Sequence, residues 1–290
     1  MSFLPYLVTG ISLGSIYALI ALGYTMVYGI AKMLNFAHGD VIMIGGYVVF
    51  IAVSTLHFPV WIAITMGIAA CTILGVLIEK IAYKPLRNTS PLTVLITAIG
   101  VSYFLQNLAL ILFGSAAKTF KSVVPHFTIG GDLNITGETV VTIVVTVLLM
   151  IGLMLFINHT KSGKAMLAVS EDRGAAQLMG INVNRTISMT FAIGSALAAV
   201  ASVLLCSTYP QISPYTGAMP GIKAFTAAVF GGIGSIPGAM IGGIVLGIIE
   251  NLSKAYISSQ LADAIVFAVL ILVLLIKPTG LMGKGINEKV

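Results

Sequence analysis

Six consecutive residues, Asn35-Phe36-Ala37-His38-Gly39-Asp40, set an amide, an imidazole and a carboxylate into otherwise apolar sequence. Gly39, and beyond it Gly45 and Gly46, would permit the backbone to unwind there. A broken helix of this kind can offer polar side chains and freed carbonyls to a zwitterionic solute. A plain turn between two apolar spans would use the same residues, and Lys32 nearby suits that reading, since polar groups at a span end are cheap. Gln106 and Asn107 interrupt a second apolar run and suit either a solute path or hydrogen bonds to a neighbouring helix. Glu250 and Asn251 close a third and fit a solvated helix end.

No pattern points to covalent chemistry. Cys71 and Cys206 lie in apolar runs without C-x-x-C spacing or an adjacent His cluster, so packing is expected and no metal centre is. The chain has no H-E-x-x-H and no G-x-S-x-G, so no catalytic residue is assigned. A phosphate loop would need G-x-x-x-x-G-K-[ST], which neither GSAAKT (114–119) nor SGKA (162–165) supplies. No cofactor is therefore expected in this chain.

Residues 159–186, HTKSGKAMLAVSEDRGAAQLMGINVNRT, form the longest polar linker and contain a plausible short helix. Ser170 can cap its start, Glu171 and Asp172 suit the positive helix end, Arg173 follows, and Gly180 can terminate it at C′. Ala175, Ala176, Leu178 and Met179 would then offer a small apolar surface on a charged loop, suited to a groove on a partner protein.

The elements that must hold these residues follow from the charges. Only 24 of 290 residues are charged (15 Lys or Arg plus 9 Asp or Glu) and 58% are hydrophobic, against about 25% charged in soluble domains. Uncharged runs cover 1–31, 41–78, 88–117, 139–160, 186–222 and 224–249, each long enough for the roughly 20 apolar residues of a membrane span. Spans are expected at about 6–29, 41–56, 59–78, 91–113, 139–158, 187–207, 236–252 and 261–276, with a shorter apolar segment at 219–230. The fold class is thus an all-α membrane protein, a polytopic bundle of about 8 transmembrane helices plus a broken Gly-rich segment. Residues 1–290 make one transmembrane domain, and the amino terminus reads as a retained first span.

Lys80, Lys84 and Arg87, and likewise Lys161, Lys164, Arg173 and Arg185, mark two linkers as cytoplasmic and place the amino terminus outside. The net charge of +6 is spread between spans, so orientation accounts for it better than nucleic-acid binding does. Lys277, Lys284 and Lys289 favour a cytoplasmic carboxyl end, which eight full spans would not give. Gly231, Gly232, Gly234, Pro237 and Gly238 supply one remedy, a break that sends 219–230 in and 236–252 out; the alternative is that three lysines are too weak a signal to set the last span. Small residues at helical spacing, Gly194, Ala198 and Ser202, and Gly238, Gly242 and Gly243, suit close helix contact, inside the chain or with a second subunit. The shortage of charge within spans argues against proton or sodium coupling.

The run Ala175-Ala176 with Gly180 and Ile187 resembles the E-A-A-x-x-x-G coupling loop of ATP-binding-cassette importer permeases, with Gly174 in place of the motif's Glu. GISLGSIYALIALGYTMVYGI (10–30), LNFAHGDVIMIGGY (34–47), AIGVSYFLQN (98–107), SEDRGAAQLMGIN (170–182) and KAFTAAVFGGIGSIPGAMIGGIVLGIIE (223–250) extend the resemblance over essentially the whole chain. Together they are similar to the LivH-type permeases of bacterial high-affinity branched-chain amino-acid transporters. The resemblance implies an inner-membrane subunit working with a homologous second permease, two ATPase subunits that use ATP and Mg, and a periplasmic substrate-binding protein. It gives residues 171–180 the role of ATPase-coupling helix. A related permease for urea or amides and a passive solute channel are the competing expectations.

Overall fold

The computed structural model describes residues 3–87, 89–124, 128–129 and 135–283. Lys284 and Lys289, used above to place the carboxyl end, lie outside the described residues. Seven helical segments are long and apolar enough to cross a membrane. They are α1 (Phe3–Ala31), α2 (His38–Phe50) with a π-helical turn at Ile51–Thr55, α3 (Val60–Ile78) continued to Leu86, α4 (Pro91–Phe113), α5 (Gly137–His159), α8 (Val183–Thr208) and α10 (Ile236–Tyr256). Between α5 and α8 lie α6 (Lys161–Glu171) and α7 (Arg173–Leu178). Two shorter apolar helices, α9 (Ala218–Gly231) and α11 (Ala262–Ile276), flank α10. Seven spans and α11 match the expected eight, and α9 is the short segment before the break.

α1 is apolar all round, which suits a helix enclosed by others. It is buried along most of its length and packs against α8, α9, α10 and α5. Association in hydrocarbon depends on close packing rather than on water exclusion, and the α1–α10 contact is built accordingly. Gly10 and Gly14 of α1 face Gly243, Ile244, Gly247 and Ile248 of α10, leaving no room for a side chain at the glycines. The other small-residue stripes also face inward. Gly194 meets Gly23 of α1, Ser202 meets Gly46 of α2, and Gly242 meets Ala227 of α9. By contrast α4 is mostly exposed, with Leu92, Ile96, Phe104, Ile111 and Leu112 on its outer surface, as a perimeter helix in lipid requires.

Helix ends show which loops share a face. β1 (Lys118–Thr119) after α4 pairs antiparallel with β4 (Gln211–Ile212) after α8, so both linkers lie on one side. A second ribbon, β2 (Thr128–Ile129) with β3 (Ile135–Thr136), leads into α5. At the opposite side Arg87 hydrogen-bonds Asn184, Arg173 donates to the Ala31 carbonyl at the end of α1, and Gly29 packs on Gly234. These contacts gather the basic linkers on one face, the cytoplasmic one by the positive-inside rule.

The Gly-rich segment forms a tight helical hairpin. Gly232 (φ 108°) and Gly234 (φ 93°) take left-handed conformations, Ser235 caps α10 by accepting from Gly238 N at 3.2 Å, and Pro237 occupies its first turn. Gly231 and Gly238 touch backbone to backbone. Leu281 N and Met282 N donate to the carbonyls of Phe230 and Gly231, both at 2.9 Å, so the chain after α11 returns to this cytoplasmic end.

Gly247→Val should prevent folding, because its Cβ collides with the backbone of Gly14. Fluorescence-detected gel filtration in detergent should show loss of the monodisperse peak. Gly100→Val, where nothing lies within 4 Å, should retain it.

Candidate functional site

The segment after α1 is unwound. Lys32 takes φ 53° to end α1, residues 32–35 lack regular structure, and α2 begins only at His38. His38 lies level with Gly23, eight residues before the end of α1, so the unwound stretch climbs back into the bundle. Asn35, His38 and Asp40 are buried at 4%, 1% and 2% exposure. Tyr83 donates to Asn35 Oδ1 at 3.0 Å. The His38 ring packs edge-on against Tyr24 with centroids 4.9 Å apart. Gly39 touches Gly217 at the start of α9, so two helix starts, α2 and α9, meet inside the bundle.

Gln106 reaches across from α4, donating to Asp40 Oδ1 at 2.9 Å and to Ser102 Oγ at 3.2 Å. Asp40 sits in the first turn of α2, where helix-end polarity favours an anion. Asn107 is exposed and donates to the Tyr103 carbonyl of its own helix at 2.8 Å. Of the polar residues picked out in the sequence, then, the fold brings Asn35, His38, Gly39, Asp40 and Gln106 to neighbouring positions and leaves Asn107 apart.

Glu250 is not a solvated helix end. It is 1% exposed, accepts from Tyr17 Oη at 2.8 Å, and pairs with Lys223 at 2.8 Å and with Lys254. Lys223 also pairs with Asp263 at 2.7 Å. This network ties α1, α9, α10 and α11 together, and a buried carboxylate needs such partners. Asn251 likewise bonds inward, to the Tyr6 carbonyl at 2.6 Å. Pairing by i,i+4 spacing could have flagged Glu250 with Lys254. The link to Lys223 is tertiary. Among the described residues no group of His, Cys, Asp or Glu is placed to hold a metal, and Cys71 and Cys206 are buried and free.

The cytoplasmic loop holds two helices rather than one. Thr160 caps α6 by accepting from Gly163 N at 3.0 Å, and Met166 and Val169 turn α6 onto the bundle. Ser170 therefore lies within α6, its hydroxyl donating to the Leu167 carbonyl, and Glu171 ends that helix. The cap of α7 is Asp172, which accepts from Ala175 N at 2.9 Å. Gly180, with φ 82°, terminates it as expected. Burial and the Arg87 cation lower the Arg173 pKa from its ordinary value. Ala176 is 3% exposed and faces the protein, whereas Leu178 and Met179 protrude at 90% and 82%. The apolar surface offered outward is thus Leu178 and Met179, with Ala175 beside them.

Internal charge pairing, a lipid-facing perimeter and a capped helix projecting from the basic face define a polytopic membrane permease. The chain belongs to the branched-chain amino acid transport system permease component family, whose model matches residues 6–274. It is 48% identical to the high-affinity branched-chain amino acid transport system permease protein LivH of Salmonella typhimurium, over 99% of this chain and 98% of that one. The corresponding protein BraD of Pseudomonas aeruginosa is 46% identical over the same shares. The ribose import permease protein RbsC of Haemophilus influenzae is 27% identical over 89% of this chain and 81% of its own. No solved structure matches the chain. It is a multi-pass inner-membrane protein and a transport subunit.

Gln106→Leu should leave the buried Asp40 carboxylate without its amide donor, at a cost of about 1–3 kcal/mol. Thermal melts in detergent should show a lower Tm for Gln106→Leu and none for Asn107→Leu. Equal melting of both would contradict the pairing.

Proposed function

We propose that the chain is the membrane-spanning subunit of an ATP-driven importer that carries leucine, isoleucine and valine inward, with hydrolysis confined to separate ATPase subunits. The supporting observation is α7. A six-residue helix capped by Asp172 and closed by Gly180 holds two large apolar side chains out from the basic face. A passive channel has no use for them, while an ATPase groove for a short helix does. α7 is anchored through Arg173 to the end of α1, so a push on it reaches the central helix.

In this reading a second, homologous permease packs against part of the apolar perimeter and lipid covers the rest. Two ATPases bind the cytoplasmic face with ATP and Mg, and a periplasmic binding protein delivers the solute. The solute passes the meeting point of α2 and α9, where Asn35, His38, Gly39, Asp40 and Gln106 gather. The nearly full-length similarity to LivH and BraD supports the choice of substrate over urea or amides.

Leu178→Asp with Met179→Asp should leave the chain folded and membrane-inserted but abolish co-purification of the ATPase subunits and ATP-dependent leucine uptake. Ala176→Asp is a poorer probe, since that side chain is internal. Normal uptake with normal ATPase association in the double variant would defeat the assignment of α7.

A further inference from the structure

A cavity of about 220 Å³ lies on the face opposite α7, beneath the loop that joins α8 to α9. It is smaller than the roughly 300–1,000 Å³ of sites for drug-sized ligands, a scale that suits a small solute. Tyr209, Gln211 and Thr216 of that loop line it, with Leu13, Leu205 and Met219 as an apolar wall. Lys223, Glu250 and Lys254 stand among them, and Asp263, paired with Lys223 at 2.7 Å just outside the lining, balances the charge.

The anion is already engaged. Glu250 Oε1 takes both lysines and Oε2 takes the Tyr17 hydroxyl, while Lys223 is held further by Asp263. Lys254 differs: its ammonium has Glu250 as its one hydrogen-bond acceptor among the described residues, and its side chain is 35% exposed. An ammonium carries three donors. The cavity thus presents unused N–H donors of Lys254 beside an apolar wall, within a network whose two cations and two anions balance, a setting for a carboxylate attached to an aliphatic group.

We propose that this cavity is an entry subsite for a small apolar amino acid. Lys254 binds the α-carboxylate, seconded by Lys223, and Leu13, Leu205 and Met219 receive the side chain. The proposal rests on the amino-acid reading above and adds a recognition step within the permease itself, at the mouth where delivered solute arrives.

The test uses the complete transporter in lipid nanodiscs, without binding protein and without ATP, and compares radiolabelled leucine with leucinamide, which lacks the carboxylate. Saturable leucine binding is expected, with leucinamide weaker by about tenfold or more, the scale of a lost charge-assisted hydrogen bond. Lys254→Gln should weaken leucine similarly and Lys254→Arg should restore most of it. Met219→Trp, which fills the cavity without touching a charge, should abolish binding and keeps the test decisive if Lys254→Gln does not assemble. Equal binding of leucine and leucinamide, absence of saturable leucine binding, or an unchanged affinity in Lys254→Gln or Met219→Trp would overturn the subsite. ATP-driven leucine uptake by the same wild-type preparation with binding protein added would show that only the subsite had failed. Absence of that uptake would sink the amino-acid reading itself.

Discussion

Hydrocarbon offers no hydrogen-bond partner to a freed peptide group, so a membrane helix can break only where protein covers the break. Two breaks shape this molecule, one inside the bundle against α1 and one at its cytoplasmic end. The first is the unwound stretch before His38, packed at the level of Gly23. The second is the hairpin at Gly232–Ser235 on the cytoplasmic side, where Gly234 is exposed beside Gly29 and water can meet the freed backbone. Enclosing α1 on several sides demands close helix approach, and the glycines at 10, 14, 243 and 247 permit it. The central helix, the glycine contacts and the buried break before His38 are consequences of one solvent constraint.

Charge is the second theme. Few ionised groups enter the bundle: Asp40 is held by the Gln106 amide, and two others sit in ion-pair networks, Glu79 with Arg87 and Ser188, and Glu250 with Lys223, Lys254 and Tyr17. Each network joins helices that lie far apart in sequence. Glu79 ties α3 to α8 near the cytoplasmic face, and Glu250 ties α9, α10 and α11 to α1 nearer the other. α7 is attached to the end of α1 through Arg173, which makes it the point where a cytoplasmic partner would act in the proposed function.

The spans were legible because uncharged runs of 22 to 38 residues leave a chain in a membrane few choices. The Gly-rich hairpin was legible too, since Gly232, Gly234 and Pro237 act through local backbone geometry. What escaped was tertiary. Ser170 and Asp172 are equally good caps by residue type, and only the folding of α6 onto the bundle through Met166 and Val169 consigns Ser170 to a helix interior. Glu250 looked like a solvated end because its partner Lys223 sits 27 residues away on a different helix. Ala176 looked like part of a docking face until the rotation of α7 was fixed by the Asp172 cap and the Arg173 anchor. The candidate path was half visible: Asn35, His38 and Asp40 stood out as polar intruders, but their burial depended on where α2 begins.

The central claim is that energy enters through the cytoplasmic face from separate ATPases. The most direct measurement is leucine accumulation in proteoliposomes that contain this chain with its co-purifying subunits, with binding protein on the substrate side and ATP on the other. The account predicts accumulation above the external concentration that stops when a non-hydrolysable ATP analogue replaces ATP. Leucine that merely equilibrates, at the same rate with or without ATP, would contradict it and mark the chain as a passive channel.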